Sequence, residues 1–265
     1  MTAVRRLLRV GLTVTDLARL SRFYEDALGF EAGPEREADA VFCRLLGVQR
    51  GRTRQLRLGL EEIELVQVDP PGPLYPAAST AADSVFQHCA LVTPDIMQAY
   101  ARLQAFHPAP ISRSGPVRLP HRSGGATAFK FRDPDGHPLE LIEFPDRRPL
   151  GIDHSAVVAT DAGRSIAFYE NLGLRTMSRQ MNTGPEQDAL DGLENPLVDV
   201  VGLMPPVRTP HVELLCYRAP RPRLEPTSPP NAVAASRLVM EVPGLHGGTA
   251  LTHDPDGHTL LLCPA

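Results

Sequence analysis

Three glutamates stand in the middle of apolar, strand-like runs: Glu64 in Ile-Glu-Leu-Val, Glu140 in Leu-Glu-Leu-Ile and Glu213 in Val-Glu-Leu-Leu. A carboxylate buried in such a run without a partner is costly, so each asks for a counter-charge, and a divalent cation is one. Two histidines, His88 and His154, are set just before apolar runs of their own. Neutral imidazole with carboxylate is a donor mixture that suits Zn, Fe, Ni, Co or Mn and does not choose among them. The competing reading turns each Glu to solvent on an open sheet face and leaves each His as a satisfied strand-end residue. The recurrence of the same residue types at matched positions favours a metal.

Other chemistries find little to work with. Lys130 is the single lysine, in the strand-like AFKFRD, so Schiff-base or P-loop chemistry would rest on that residue alone. Cys43, Cys89, Cys216 and Cys263 are far apart and form no C-x-x-C. They read as buried thiols in a reducing compartment, neither a zinc knuckle nor a disulfide framework. G-x-S-x-G, G-x-G-x-x-G and H-E-x-x-H do not occur.

The elements that must position these residues repeat along the chain. VGLTVTDLARLSRFYEDALGF (10–30) returns as SAVVATDAGRSIAFYENLGL (155–174), and DPDGHPLEL (133–141) returns as DPDGHTLLL (254–262). Pro-rich breaks at 68–76, 143–151 and 217–230 delimit four modules: 1–70, 80–146, 150–220 and 231–265. In the first, residues 9–14 alternate as a strand, and Asp16 is placed to cap a helix. Leu17, Leu20, Tyr24 and Leu28 share one face of that helix, and Gly29 stops it. The unit reads β-α-β-β-β, and the second module repeats it with HCALV, a helix near 95–106, ATAFKF, a DPDG turn and PLELIEF. His137 and His258, which follow the two DPDG sequences, serve the turns. The fourth module is shortened by roughly a helix and a strand. The expected fold is α+β, with residues 1–146 and 150–265 forming two domains.

Composition agrees with a soluble, cytoplasmic protein: 265 residues, 42% hydrophobic, 22% charged and a net charge of −4. No apolar run approaches the ~18 residues of a membrane span. The start MTAVRRLLRVGLTV lacks a signal-peptide pattern. With no long basic tract, nucleic-acid affinity has no counterion-release contribution to draw on. A small molecule is the expected partner, and a homodimer is compatible with the sequence.

The four modules, the D-L-x-x-x-x-x-F-Y-x-x-x-L-G-F helix and the DPDG-H-x-x-E-L ending resemble the vicinal oxygen chelate superfamily, which includes glyoxalase I, bleomycin-resistance proteins, methylmalonyl-CoA epimerase and extradiol dioxygenases. The resemblance covers nearly the whole chain and implies paired modules that curl their sheets into cups, each module offering one ligand from its first strand and one from its last. Carried over by position, module one offers Arg9 and Glu64, module two His88 and Glu140, module three His154 and Glu213, and module four Arg237 and Leu261. Guanidinium and isobutyl groups do not coordinate a divalent cation in the ordinary way.

Two pairings are open. If neighbours pair, Glu64, His88 and Glu140 form a three-ligand site beside Arg9. If the inner modules pair, His88, Glu140, His154 and Glu213 form a set of four and the outer cup is without metal. The pattern of lost ligands favours the inner pairing, but Glu64 to His88 and Glu213 to Arg237 are both 24 residues apart, a matched linker that favours neighbours, whereas Glu140 to His154 is only 14. That short connection tips the reading toward neighbours. The resemblance implies an enzyme holding one divalent metal that chelates vicinal oxygens of a small substrate. Its chemistry would be glyoxalase- or epimerase-like proton transfer, with Glu140 and Glu64 as the catalytic carboxylates. Extradiol ring cleavage asks for a two-His, one-carboxylate iron site, which neighbour pairing breaks. The alternative is a metal-free drug- or metabolite-binding protein of bleomycin-resistance type, for which Arg9, Arg237 and Leu261 speak.

Overall fold

Strand β1 (Arg6–Thr13) has two differently occupied faces. Val10 and Leu12 enter a hydrophobic core, while the intervening Arg9 and Gly11 face the other side of the sheet. Asp16 then caps helix α1 (Leu17–Leu28) by accepting a hydrogen bond from the Arg19 N–H at 2.9 Å. Leu17, Leu20, Tyr24 and Leu28 are buried, and Gly29 closes the helix in the left-handed region at φ 82°. The computed structural model describes residues 3–208 and 210–265. Module one continues through β2 (Glu31–Glu37), α2 (Ala40–Leu46), β3 (Arg50–Leu58) and β4 (Glu61–Asp69).

Module two comprises β5 (Gln87–Val92), α3 (Ile96–Gln104), the short β6 (Ala109–Pro110) and β7 (Val117–Arg118), then β8 (Thr127–Arg132) and β9 (Pro138–Glu143). Module three comprises β10 (Gly151–Val158), α4 (Ala162–Asn171), β11 (Arg175–Thr183), α5 (Pro185–Asp191), β12 (Leu197–Met204) and β13 (His211–Ala219). Module four runs only β14 (Arg237–Glu241), β15 (Ala250–His253) and β16 (Thr259–Cys263), the expected truncation. The architecture is α+β, two large sheets with a few helices.

The strands sort into those sheets across the chain, not along it. One sheet has the order β15-β16-β14-β1-β4-β3-β2, so modules one and four share it; the other has β11-β12-β13-β10-β5-β9-β8-β6, with β7 beside β8, so modules two and three share it. The expectation that neighbours share a cup is therefore corrected. Its error lies in the short connection from Glu140 to His154. β9 and β10 flank the single strand β5, parallel and antiparallel to it respectively, so residues 144–150 need only pass one strand, about 10 Å at the usual interstrand spacing. The two matched 24-residue connections each lead from one sheet to the other.

Cores follow a different rule. Val10, Leu17, Leu20 and Tyr24 of module one pack in one cluster with Leu91, Ile96, Leu103 and Phe131 of module two, and a second cluster joins Tyr169 and Leu214 of module three to Leu238 and Leu260 of module four. These two cores thus join module one to two and three to four, while the sheets join one to four and two to three. The DPDG turns tie the neighbours further. Asp133 accepts from the His137 N–H (3.0 Å), the His137 ring Nδ1 (2.8 Å) and the Tyr24 hydroxyl (3.1 Å). Asp254 likewise accepts from the His258 N–H (2.9 Å) and the Tyr169 hydroxyl (3.0 Å).

Candidate metal centre

The four central strands of the inner sheet, β13-β10-β5-β9, bring together one ligand-type residue each. In register, Ala156 lies opposite His88 on one side and Glu213 on the other, while Ala90 lies opposite His154 and Glu140. His88 and Ala90 are two residues apart on β5, as His154 and Ala156 are on β10, so all four functional side chains leave the same face. The two alanines are fully buried. Their single methyl groups let four longer side chains converge above them.

The donor atoms meet closely. His88 Nε2 is 3.0 Å from Glu140 Oε2 and 3.4 Å from His154 Nε2. His154 Nε2 is 3.6 Å from Glu140 Oε2 and 3.5 Å from Glu213 Oε2. Asp153 Oδ2 lies 2.9 Å from His154 Nδ1. An Nδ1–H donated to that carboxylate leaves the His154 Nε2 lone pair turned to the cluster, the arrangement that orients a ligating imidazole. Donor separations of 3.0–3.6 Å are those between neighbouring ligands around a cation with bonds of about 2.1 Å. The donor set therefore fits a divalent metal of the borderline class.

Electrostatics show what the carboxylates do to their neighbours. Burial, joined by Lys130, holds His88 neutral with a pKa of about 4. Burial acts the same way on His154 but is overcome by Glu213, Asp153 and Glu140, which hold it well above the ordinary histidine value. Burial would raise Glu140, yet Lys130 and the two histidines keep it well below the usual carboxylate range. Glu213, opposed again by burial, is lowered by His154 and His211. Without a metal, the proton on His154 offsets part of the negative charge.

A cavity of about 160 Å³ lies over the cluster, lined by the four ligand-type residues, by Lys130, Gln187 and Asn182 on a polar side and by Leu119, Ile142 and Phe144 on an apolar one. Phe144, Asp153 and Glu213 also border a wider basin of about 630 Å³ that includes His211 and Arg148. Lys130, opposite Glu140 across β8 and β9, bonds Asp191 at 2.8 Å, and Asp191 also accepts from Gln187 (2.7 Å) and Tyr217 (2.8 Å).

Glu64, expected beside His88 and Glu140, stands instead in the other sheet. Its Oε1 is 3.4 Å from Arg9 Nη2. The structure thus brings His88, Glu140, His154 and Glu213 together and leaves Glu64 out, because β4 pairs with β1. Sequence reasoning passed over Asp153, Lys130 and Asp191. An Asp directly before a ligand-type His was a usable signal for the first. The Lys130–Asp191 pair spans 61 positions and had none.

A family model described as Glyoxalase/Bleomycin resistance protein/Dioxygenase superfamily matches residues 6–141. The chain belongs to that superfamily. Among solved structures it is similar to glyoxalase I from Zea mays, at 17% identity and a TM-score of 0.62 over 98% of this chain and 92% of that one. A mutant of the same plant enzyme gives 20% and 0.63 over the same shares. A candidate dioxygenase from Bacillus subtilis gives 10% and 0.61 over 100% and 86%. At these identities the likeness is one of fold. A search of curated proteins finds no match. The superfamily includes glyoxalase I and dioxygenases, in keeping with an enzymatic role. Among the described residues no helix is long and apolar enough to cross a membrane.

Proposed function

We propose that the inner cup holds one divalent metal through His88, Glu140, His154 and Glu213 and that the protein is a lyase or isomerase acting on a small oxygenated metabolite by proton transfer. The observation that carries this reading is the convergence of His88, Glu140 and His154 from three adjacent strands, their donor atoms all within 4.8 Å of one another, with Glu213 on the next strand 3.5 Å from His154 Nε2. Charge supports it too. With both histidines neutral, Asp191 paired with Lys130 and Asp153 paired with Arg148, Glu140 and Glu213 leave two negative charges, the complement of a divalent cation. Two carboxylates beside two histidines exceed the two-His, one-carboxylate set of extradiol iron enzymes, which favours proton transfer over ring cleavage.

When bound, a cation of this class supplies Lewis acidity toward the vicinal oxygens of a substrate. The chain's own residues do the rest. Glu140, clasped by both histidines, stays charged on the floor. Glu213 is the more open carboxylate, its side chain 21% exposed against 6% for Glu140, and it borders both the cavity and the basin. It is the better placed to take a proton from a substrate carbon, with His211 Nε2 3.4 Å from its Oε1 to steady it. The cavity is smaller than the ~300 Å³ of drug-sized pockets, so a compact reacting group enters it and any larger body rests in the basin.

Elemental analysis of protein purified without chelator tests the metal, with about one ion per chain expected. His154→Ala should weaken binding by ~10-fold or more while Glu64→Gln leaves it unchanged. Deuterium exchange into α-hydroxy carbonyl compounds and thiol hemithioacetals, followed by proton NMR, tests the chemistry, and Glu213→Gln should slow it by ~100-fold or more. A folded protein with no metal at any occupancy would leave the metal-free binding reading in its place.

A further inference from the structure

The outer sheet carries a second cup whose floor repeats the inner one in register. Gly11 lies opposite both Glu64 and Arg237, and Val239 opposite both Arg9 and Leu261, just as Ala156 and Ala90 are flanked in the inner cup. Arg237 is fully buried and its guanidinium lies over Gly11, where a Cβ would come within 3.0 Å of Nε. Glycine at this position makes the room that the longer side chain occupies.

The floor is charged and incompletely paired. Arg237 Nη1 donates to Thr13 Oγ1 (2.7 Å) and to the Ala235 carbonyl (3.2 Å), but its Nε and Nη2 have no partner. Arg9 brings a second guanidinium, with Nη2 3.4 Å from Glu64 and a buried Nε that is also unpaired. Two guanidinium groups thus face one carboxylate. Around them stand Phe42, Val66, Val239 and Leu261, so three buried guanidinium N–H groups are left without an acceptor against apolar walls, a costly arrangement. A cavity of about 350 Å³ opens on this floor, with Arg9, Glu64, Leu261 and Phe42 at its base and Thr53, Gln55 and Thr249 on its sides. Farther from the floor the cavity is lined by Arg36, Glu37 and Asp39, the last of which caps α2 by accepting from the N–H groups of Val41 and Phe42.

We propose that the outer cup is a binding site for a small organic carboxylate with an apolar body, in which Arg9 contacts the carboxylate and Arg237 supplies a fixed buried positive charge. The Arg9 fork can receive two oxygens at once, the Arg237 charge lies beneath, and Phe42 and Leu261 receive the apolar part. The inner cup and its metal play no part in this site.

Calorimetric titration of the full chain, first treated with chelator, uses benzoate and hexanoate as probes and benzamide as the neutral control. Saturable binding of at least one carboxylate is expected, with benzamide at least tenfold weaker. Arg9→Met should weaken the carboxylate by about tenfold or more, as for removal of one member of a desolvated charge pair. Glu64→Gln, which raises the charge of the floor, should tighten it several-fold, and His88→Ala should leave it unchanged. Absence of saturable binding by both carboxylates overturns the proposal, and so does binding that survives Arg9→Met but falls with His88→Ala. Should Arg9→Met fail to fold by thermal unfolding, Glu64→Gln decides alone: unchanged or weaker binding refutes the site.

Discussion

At the scale of single residues, one proton and one metal compete for the same nitrogen. His154 is held protonated by Glu213, Asp153 and Glu140 against the opposing effect of burial, and its Nε2 is also the atom turned to the other ligands. A raised folded-state pKa stabilises the fold fully below the ordinary histidine value of ~6.5, and that contribution is lost as pH rises through the raised value. The metal-free protein should therefore lose stability as pH rises above neutrality, which urea titrations at a series of pH values will read. Metal requires the neutral ring, so its uptake should release about one proton from His154 and its affinity should rise between pH 6 and 8. Calorimetry in buffers of different ionisation enthalpy measures that proton, and a flat affinity across this range would contradict the assignment of His154. His88, held neutral by burial with a pKa of about 4, contributes nothing to this pH dependence above neutrality.

At the scale of elements, the sequence was legible wherever the reason was local. Asp16 as a cap, Gly29 as a stop, the apolar face of α1 and the missing helix of module four all follow from neighbours within a few residues. The ligand-type residues were legible for the same reason, since a Glu in an apolar run is visible without a partner. Which strand lies beside which was not, because interstrand hydrogen bonds are made by backbone groups common to every residue. The pattern of lost ligands pointed to the inner pairing, but the connection lengths outweighed it and misled, because a loop that passes a single strand is as short as a hairpin loop. The DPDG turns show a local signal acting at long range: Asp133 receives the Tyr24 hydroxyl from the preceding module. Tyr24→Phe should cost about 1 kcal/mol, the net worth of one buried hydrogen bond. Asp133→Ala should cost about 2–4 kcal/mol, since it strands several buried donors. Equal losses in chemical denaturation would mean that the tie to α1, not the turn, carries the effect.

At the scale of the whole molecule, the two largest cores join module one to two and three to four while the sheets join one to four and two to three, so neither half is complete alone. A fragment of residues 1–146 keeps the core shared by α1 and α3 but bares β1 where β14 lay and β5 where β10 lay. Open strand edges of that kind pair with other chains. The fragment should elute as a dimer or larger species in size-exclusion chromatography, and co-expression with residues 150–265 should return the size of the intact chain; a stable, monomeric fragment would show that the sheet pairing is dispensable. The same interleaving imposes an order in time on a chain made from its N-terminus. β5 meets its partner β10 as soon as Val158 has been made, whereas β1 waits for β14, with Gly11 paired to Arg237 near the far end of the chain. Contacts of such sequence separation form slowly. During synthesis the cup with the metal-ligand set can close while the N-terminal strand still presents an unpaired edge, and that edge is the part of the nascent protein most in need of protection from its copies on the same message.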